Sequence, residues 1–300
     1  MEVQSRLEDI KSSSSTALAI GKFDGVHLGH KKLLKVITGA REDGLLSCVF
    51  TFEPSPERLF KNETKQLSTR EERRRELEAL GVELLVEYPL DAQSASVDPA
   101  VFIEEYLCGR LKAALIAAGP DISYGAGGKG DMALLNSMKR TLGYETVFVD
   151  KLVIGGTAVS SSRIRDGVSG GRMEEAALLL GHPYTIRGTV VKGAALGRSI
   201  GFPTINLMPE EDKLLPPNGV YRSIVCIRGK SYKGLTNIGT KPTVSGSDTV
   251  SAETFIFDFD EDVYGEEALI GLTAFRRPEK RFGSVEELKA QLARDIAAER

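Results

Sequence analysis

The sequence predicts two domains, namely an N-terminal α/β domain built on a parallel sheet and a C-terminal antiparallel β-barrel that ends in a helix. Its 300 residues exceed what one compact core needs and suit two. Short apolar runs alternate with charged, helix-period segments in the first half, which is typical of βαβ units. From Tyr184 onward, strand-like runs follow one another with turn formers between them. We assign residues 1–182 to the first domain and residues 183–300 to the second.

The first half contains five runs with the composition of strands, together with several helix-period segments. The predicted strands cover residues 16–20, 46–52, 83–86, 113–118 and 145–149. The predicted helices cover residues 31–38, 70–80, 99–110 and 132–142, and a further helix over 173–180 is assigned to the same domain. Because strands and helices alternate, the strands should be parallel and buried on both faces.

The second half contains five β-like runs followed by one amphipathic helix. The runs cover residues 184–192, 219–228, 231–236, 249–259 and 269–275. Turn pairs such as Asn218-Gly219 and Gly229-Lys230 stand between them, which favours tight antiparallel connections and a small barrel. Ser284 is a good N-cap for a helix over 284–300, and Glu287 three residues later predicts a capping box.

The composition argues against several classes of function. The formal net charge is −3, so a nucleic-acid surface is not expected. The three cysteines are scattered and show no Cys-x-x-Cys spacing, which disfavours a disulfide framework or a zinc site. No apolar run resembles a signal peptide or a membrane span. We therefore expect a cytoplasmic protein whose partners are small molecules, with no nucleic-acid or membrane partner; nothing in the sequence indicates an oligomeric state.

A candidate phosphate site follows the first predicted strand. Residues 21–30 form a glycine-rich turn that leads into a helix, where backbone can approach a phosphate and helix N–H groups lack partners. His27 and His30 are two of only three histidines in the chain. They lie three residues apart, which places both imidazoles on one face of the helix start. Further nucleotide-binding candidates in this segment are Gly21, Phe23 and Asp24.

A second candidate phosphate site lies at residues 193–206. Three glycines at a spacing of four form a segment that is able to approach phosphates closely, although the lysine of a P-loop is absent. These glycines are Gly193, Gly197 and Gly201, and Arg198 is a further nucleotide-binding candidate. The segment ends in Thr204 and Asn206, whose hydroxyl and carbonyl oxygens are hard ligands that suit Mg²⁺. Taken alone, this ending also fits an edge-strand turn with an asparagine cap.

Further motifs follow in order along both halves. Those of the first half are Asp121-Ile122-Ser123-Tyr124-Gly125 and Ser160-Ser161-Ser162-Arg163-Ile164-Arg165. Those of the second half are Pro203-Thr204-Ile205-Asn206, Pro217-Asn218-Gly219-Val220-Tyr221, Asn237-Ile238-Gly239-Thr240-Lys241-Pro242-Thr243, the strand at 253–259, and Arg277-Pro278-Glu279-Lys280-Arg281-Phe282. Together with His27-Leu28-Gly29-His30, they resemble the prokaryotic bifunctional riboflavin kinase/FAD synthetases from about residue 16 to residue 297.

For the first half, the resemblance implies a Rossmann-like nucleotidyltransferase domain that adenylylates FMN to FAD and releases pyrophosphate. His27 and His30 would then contact the ATP phosphates. The β- and γ-phosphates would be held by Ser161, Ser162 and Arg165, and Asp121 would contact FMN or the nucleotide. Because the attacking FMN phosphate is already ionised, such a site needs charge neutralisation rather than a general base.

For the second half, the resemblance implies a six-stranded antiparallel barrel with a terminal helix that phosphorylates riboflavin to FMN and releases ADP. Glu253 would be the catalytic base for the ribityl hydroxyl, because a hydroxyl nucleophile needs proton removal. Thr204 and Asn206 would bind Mg²⁺ with ATP, and Arg277 would contact the flavin or the nucleotide. Riboflavin, FMN, FAD and ATP are thus the implied substrates and products.

Two departures from the family pattern leave other interpretations open. Ser55 stands where the family has histidine in its Phe-x-Pro-His-Pro segment, and Lys22 stands where asparagine is common. One alternative is therefore a monofunctional riboflavin kinase with a weak or inactive adenylyltransferase domain. Another is a non-enzymatic flavin- or nucleotide-binding regulator. For Glu253, the structural alternative is a rim carboxylate that pairs with Arg277.

Overall fold

A computed structural model describes residues 1–60, 65–193, 197, 200–242 and 248–299. The chain divides into two compact units, Met1–Ser161 and Ser162–Arg300. This division lies earlier in the chain than the predicted boundary at 182–183. The predicted boundary separates the two expected activities rather than two packed units, and it stays a prediction. The predicted fold class is confirmed, with a parallel six-stranded sheet in the first unit and an antiparallel six-stranded sheet in the second.

The first unit is built on a parallel sheet in the order β1-β4-β3-β2-β5-β6. Its strands are β1 (Glu2–Gln4), β2 (Thr16–Ile20), β3 (Leu46–Glu53), β4 (Leu84–Pro89), β5 (Ala113–Ala118) and β6 (Glu145–Phe148). Strand β1 was not predicted, because three residues are too few to show a period; it pairs in parallel with the edge of β4. A two-stranded antiparallel pair, β7 (Val153–Ile154) and β8 (Thr157–Ala158), follows the sheet.

Helices connect the strands of the first unit. They are α1 (Leu28–Gly39), α2 (Pro56–Phe60), α3 (Arg70–Ala79), α4 (Pro99–Val101), which continues in π-helical turns over Phe102–Arg110, and α5 (Met132–Leu142). The start of α3 is fixed by a full capping box, in which Thr69 accepts from the Glu72 N–H and the Glu72 carboxylate accepts from the Thr69 N–H. Both faces of the sheet carry a buried core, because successive residues of β2 such as Leu18 and Ala19 join different clusters.

A buried charge cluster lies at the carboxyl ends of β3 and β4. The Glu87 side chain is fully buried and accepts hydrogen bonds of 2.9 Å from Nε of Arg70 and Nε of Arg74. Arg73 is 1% exposed and donates to Glu53, the last residue of β3, over 2.6 Å. Burial acts to raise the pKa of Glu87, but the bonds and charges of Arg74 and Arg70 outweigh it and lower that pKa. The cluster therefore ties α3 to the ends of two strands.

The second unit is an antiparallel sheet in the order β10-β13-β12-β11-β14-β9. Its strands are β9 (Tyr184–Thr189), β10 (Thr204–Leu207), β11 (Gly219–Ile227), β12 (Lys230–Pro242), β13 (Asp248–Ile256) and β14 (Glu267–Pro278). The two edge strands approach each other, since the Val191 N–H donates to the Asn206 carbonyl over 2.9 Å just beyond β9. The sheet thus curls into the expected barrel form.

Helices α6 (Ser161–Ser169), α7 (Met173–Leu180) and α8 (Val285–Ala297) complete the chain. Helix α7 was assigned to the first domain from its position in the sequence, but it packs against β9 and β14 of the barrel. The capping box predicted at α8 forms only in part. Ser284 accepts from the Glu287 N–H as expected, whereas the Glu287 carboxylate accepts from the Gly283 N–H at 3.0 Å instead of that of Ser284. No helix in the described part of the chain is long and apolar enough to cross a membrane.

Replacing Glu87 with alanine should destabilise the protein strongly. The Glu87→Ala change removes the fully buried carboxylate that Arg70 and Arg74 bond from partly exposed positions, and loss of such charged hydrogen bonds typically costs about 1.5–3 kcal/mol. The free energy of unfolding, measured by urea denaturation of the full chain, should fall by that amount. Because the folded pKa of Glu87 is lowered, its contribution should exist above pH ~4.3 and disappear as the pH falls.

The matched control is Glu71→Ala on the same helix. Glu71 is exposed and pairs with Arg75 at the helix surface, so its loss should change the free energy of unfolding by less than about 0.5 kcal/mol. Equal losses for the two variants would contradict a stabilising role for the buried cluster.

Candidate active sites

The first candidate site lies at the point where the order of the parallel sheet reverses. Strand β2 pairs with β3 on one side and with β5 on the other. Connections from these two neighbours run outward in opposite directions, which opens a crevice at the carboxyl ends of the strands. Residues 21–30 leave β2 at this crevice and lead into α1. The phosphate site expected at this segment therefore stands where α/β sheets bind ligands.

Close packing fixes the turn between β2 and α1. Phe23 is fully buried and adopts a left-handed φ of 52°. A Cβ on Gly21 would lie 3.1 Å from the Phe23 ring, so a larger residue there would press on it. Gly25 has a φ of 74° and would place a Cβ 2.9 Å from Leu67, which only glycine avoids. Gly21 and Phe23 thus shape the loop, and direct contacts with a nucleotide stay a prediction.

The two histidines stack against each other at the start of α1. Their ring centroids are 3.7 Å apart and the ring planes differ by 13°. His27 is the N-cap of α1, and its Nδ1 accepts a hydrogen bond from the His30 N–H at 3.2 Å. A Cβ on Gly29 would lie 3.0 Å from the His27 ring, so this glycine makes room for the stack. The sequence-based expectation that both imidazoles share one face is confirmed.

Both imidazoles are neutral near pH 7. Burial lowers the pKa of His27 to about 4, and the charge of Lys31 acts in the same direction. Burial also holds the pKa of His30 well below its usual range, with the His27 ring adding to the effect. Because Nδ1 of His27 is an acceptor, the proton of its neutral ring lies on Nε2. The pair can therefore offer N–H donors to an anion without carrying charge.

One nitrogen of the pair is unsatisfied. Nδ1 of His30 is buried and has no hydrogen-bond partner among the residues that the structure describes. Buried polar atoms are nearly always bonded in proteins, so an exception calls for an explanation such as a catalytic role or a bound ion. This orphan atom supports a ligand-binding role for the stacked pair.

Asp24 and Ser161 connect the turn to other segments of the first unit. Oδ1 of Asp24 accepts from the N–H groups of Leu67 and Ser68 at 2.8 and 3.1 Å. The Ser161 hydroxyl donates to the Asp24 carbonyl over 2.8 Å, so the predicted Ser-Ser-Ser-Arg segment begins beside the histidine turn. Asp24 therefore holds the loop together. Ser162 and Arg165 fall within the second unit, and their contacts with phosphates stay predictions.

The positions that depart from the family pattern are engaged in local contacts. Lys22 forms an ion pair with Glu57, and the Ser55 hydroxyl accepts from the Arg58 N–H at the start of α2 over 3.4 Å. Asp121 follows the carboxyl end of β5 and pairs with Lys151 over 2.5 Å. The expected contact of Asp121 with FMN or nucleotide stays a prediction, and the salt bridge gives this carboxylate a competing role.

The second candidate site is set by the register of the barrel. Strand β10 runs antiparallel to β13 and places Asn206 opposite Glu253, while Thr204 stands opposite Phe255. Directly opposite residues of an antiparallel pair share one face of the sheet, as do residues two apart on one strand. Thr204, Asn206 and Glu253 therefore lie together, as the predicted metal and base roles require.

The glycines of the 193–201 segment lie against these side chains. A Cβ on Gly193 would stand 2.5 Å from Nδ2 of Asn206, and a Cβ on Gly197 would stand 3.4 Å from the Thr204 hydroxyl and 2.4 Å from the Phe202 carbonyl. Gly201 has a left-handed φ of 88°. Arg198, a predicted nucleotide ligand, lies outside the described residues, as does Thr243. The glycine spacing thus permits close approach of backbone to the Thr204–Asn206 pair.

The donor set of this pair fits a magnesium ion that arrives with a nucleotide. Within the described ranges, no group of three or more His, Cys, Asp or Glu side chains is placed to hold a metal ion. Thr204 and Asn206 offer two neutral oxygen ligands, and Asn206 is only 6% exposed. Mg²⁺ commonly takes few protein ligands and completes its shell with phosphates and water. Such an ion would thus depend on bound ATP.

Two further residues matter at this site. Arg277 binds Asp295 of α8, with Nη2 to Oδ2 at 2.6 Å, so it anchors the terminal helix; its proposed flavin contact stays a prediction. The strand order separates it from β13 by β11 and β12, which argues against a direct pair with Glu253. Asn237 stands opposite Glu253 on β12 and donates to Glu279. Asn237 and Glu279 both occur in the motifs quoted above, but their spacing in the sequence gave no sign that their side chains meet.

Comparisons with known proteins match each half of the chain to a family of flavin-converting enzymes. The FAD synthetase family model matches residues 9–163, and the riboflavin kinase family model matches residues 180–300. A bifunctional riboflavin kinase/FMN adenylyltransferase of Listeria monocytogenes is 39% identical over 93% of this chain and 89% of its own length. The chain belongs to the bifunctional riboflavin kinase/FMN adenylyltransferase family. Relatives of the same description in Escherichia coli and Bacillus subtilis are 37% and 36% identical over 93% and 95% of this chain, and 90% and 92% of their own lengths.

A solved structure shares the fold of this family member along its whole length. It comes from Streptococcus pneumoniae, is described as a macrolide-efflux protein, and is 32% identical with a TM-score of 0.87. The match covers 98% of this chain and 97% of the other. The family resemblance identified from sequence motifs is therefore confirmed by the family models, the relatives and a shared fold.

The histidine pair should titrate at unusually low pH. In NMR spectra of the ring Cε1–H groups, the His27 signal should have a midpoint near pH 4, because protonation places a charge in a buried ring. Since an unfolded histidine binds its proton near pH 6.5, stability should fall as the pH drops from about 6.5 to 4.

Only one further variant is needed to isolate the signals of the pair. His182→Gln removes the signal of the third histidine, so both remaining signals belong to His27 and His30. A midpoint at or above pH 6 for either remaining signal would contradict a buried, neutral stack.

Proposed function

We propose that this chain phosphorylates riboflavin to FMN in its barrel and adenylylates FMN to FAD in its α/β unit, with ATP as the co-substrate of both reactions. The observation that supports the proposal is that candidate phosphate-binding residues cluster in the parallel sheet and, separately, in the barrel. One cluster combines a stacked, partly unsatisfied histidine pair with a switch-point crevice. The other combines Glu253 with Thr204 and Asn206 on one face of a ladder.

In the kinase reaction, the 5′-hydroxyl oxygen of riboflavin attacks the γ-phosphorus of ATP, and the bond to the bridging oxygen breaks so that ADP leaves. Glu253 accepts the hydroxyl proton. Thr204 and Asn206 would hold Mg²⁺, which neutralises phosphate charge when it is bound. Gly193 and Gly197 let the backbone close over the same side chains. Arg198 and Gly201 are proposed to contact the nucleotide, and Arg277 the flavin.

In the adenylyl transfer, an FMN phosphate oxygen attacks the α-phosphorus of ATP and pyrophosphate leaves. No proton has to be removed from this nucleophile, so a base is not needed. His27 and His30, both neutral, would donate N–H hydrogen bonds as charge develops on the phosphates. Ser161 next to Asp24, together with Ser162 and Arg165, is proposed to hold the departing pyrophosphate. Asp121 is a proposed contact of FMN or nucleotide.

Both family models and the bifunctional relatives favour two activities over the monofunctional alternative. Ser55 and Lys22, which motivated that alternative, have local structural partners and leave the histidine pair intact. The cytoplasmic location and the absence of nucleic-acid or membrane partners stay predictions from composition.

A product analysis tests the proposed function directly. The purified chain, incubated with riboflavin, ATP and Mg²⁺, should form FMN first and FAD later, with ADP and pyrophosphate as co-products. Supplied FMN should be converted to FAD without a lag. Formation of FMN without any FAD or pyrophosphate would favour the monofunctional alternative, and formation of neither would overturn the proposal.

The Glu253→Gln variant should lose riboflavin phosphorylation selectively. Without its base, kcat for FMN formation should fall by about 10²–10⁴-fold, while riboflavin binding, followed by flavin fluorescence, stays close to wild type. Conversion of supplied FMN to FAD serves as the internal control and should be unchanged. Undiminished FMN formation would refute Glu253 as the base.

The His30→Gln variant should show the reverse pattern. Loss of a preorganised donor at the phosphates should lower kcat for FAD formation by about 10²–10³-fold. Phosphorylation of riboflavin by the same preparation reports whether the chain is folded and should be retained. If the variant keeps full FAD synthesis, the histidine pair does not belong to the adenylyltransferase site.

A further inference from the structure

Asn237 is the unassigned neighbour of the proposed catalytic base. Asn206, Glu253 and Asn237 stand directly opposite one another on β10, β13 and β12. All three therefore point to the same face, with Cβ atoms of neighbours about 4.5–5.5 Å apart. The metal and base roles already proposed account for Asn206 and Glu253. They leave the Asn237 amide without a function although it stands directly opposite Glu253.

Glu279 holds this amide in place. Nδ2 of Asn237 donates to one oxygen of Glu279 at 3.3 Å, and Nδ2 of Asn218 donates to the other at 3.2 Å. Asn218 is in turn bonded to the Thr240 hydroxyl over 3.1 Å. The Glu279 carboxylate also rests on Gly239, where a Cβ would lie 2.2 Å from Oε1. Any larger residue at 239 would push the carboxylate away, so the glycine is part of this arrangement.

The charge of Glu279 is committed to these amides. Among the described residues, Glu279 forms no ion pair, and the nearby Arg277 binds Asp295 instead. Hydrogen bonds to an ionised acceptor are stronger than neutral ones. A carboxylate accepts but does not donate, so it fixes which end of the Asn237 amide faces it. The carbonyl Oδ1 of Asn237 is thereby turned away from Glu279 and stays available as an acceptor.

We propose that Glu279 is a positioning residue for the kinase reaction, and that the Asn237 amide it orients binds the substrate's 4′-hydroxyl, next to the hydroxyl that Glu253 activates. The site would thus select substrates whose side chain ends in two adjacent hydroxyls. This inference rests on the proposed kinase function, because it assigns a polyol to the face that carries Glu253. It assigns no proton transfer to Glu279 or to Asn237.

A substrate lacking the 4′-hydroxyl separates this role from a structural one. Wild type should phosphorylate riboflavin with a kcat/KM about tenfold above that for 4′-deoxyriboflavin, the size expected for one hydrogen bond. Asn237→Ala and Glu279→Ala should lower kcat/KM for riboflavin and bring the ratio of the two substrates close to one. The double variant should be no worse than Asn237→Ala, because both changes remove the same contact.

Two further variants control for folding and charge. Glu279→Gln keeps an acceptor oxygen and should retain most of the discrimination. Glu267→Ala removes a carboxylate at the opposite end of β14, where it pairs with Arg187, and should behave as wild type. Wild-type FMN formation from riboflavin tests the kinase function separately. If wild type makes FMN but Asn237→Ala or Glu279→Ala keeps the tenfold preference, or if the two changes are additive, the positioning role is overturned.

Discussion

The antiparallel ladder between β10, β13 and β12 sets Glu253 between Asn206 and Asn237, and the proposed kinase site depends on that register. Side chains alternate between the two faces of a strand, so a slip of one residue would turn Glu253 away from Thr204 and Asn206. The opposite face carries Thr236 and Thr254, which are fully buried and hydrogen-bonded to each other. A carboxylate moved into that position would be buried at high cost. Burial of the face that carries Thr236 and Thr254 thus specifies the register, and this register leaves Glu253 on the other face.

The two units bring their candidate phosphate-binding residues together by different means. In the parallel sheet, the reversal of strand order opens a crevice, and a helix start supplies donors to it. In the antiparallel barrel, strand register brings Thr204 and Asn206 together with Glu253, and Gly193 and Gly197 lie close to Asn206 and Thr204. In both, the groups that would meet phosphate are mostly neutral. Neutral donors and oxygen ligands can be held close together without mutual repulsion until charged substrates arrive.

Charge is used mainly to hold segments rather than to line the sites. The buried Arg73 and Glu87 tie α3 to the strand ends next to the crevice, and Arg277 ties α8 to the barrel through Asp295. Arg277 illustrates why a motif residue is not automatically a ligand. Its Nε and Nη2 make three hydrogen bonds to one carboxylate, at 3.1, 3.1 and 2.6 Å, and Nη1 donates to the Pro278 carbonyl, so all three guanidinium nitrogens are engaged.

Local sequence patterns by themselves determined the two fold classes, most of the longer strands and helices, and the positions of both candidate phosphate-binding motifs. The short elements β1, β7, β8, β10 and α2, and helix α6, were not predicted. Apolar alternation and turn pairs depend on neighbours a few residues away, so strands such as Thr16–Ile20 could be identified without tertiary information. Tertiary structure decided which distant residues meet. Such contacts include the sheet order and the packing of α7 on the barrel. They also include the hydrogen bonds from Leu67 and Ser68 to the Asp24 carboxylate, and the bond from Asn237 to Glu279. Such contacts follow from burial and strand pairing across the whole fold, and no local spacing encodes them.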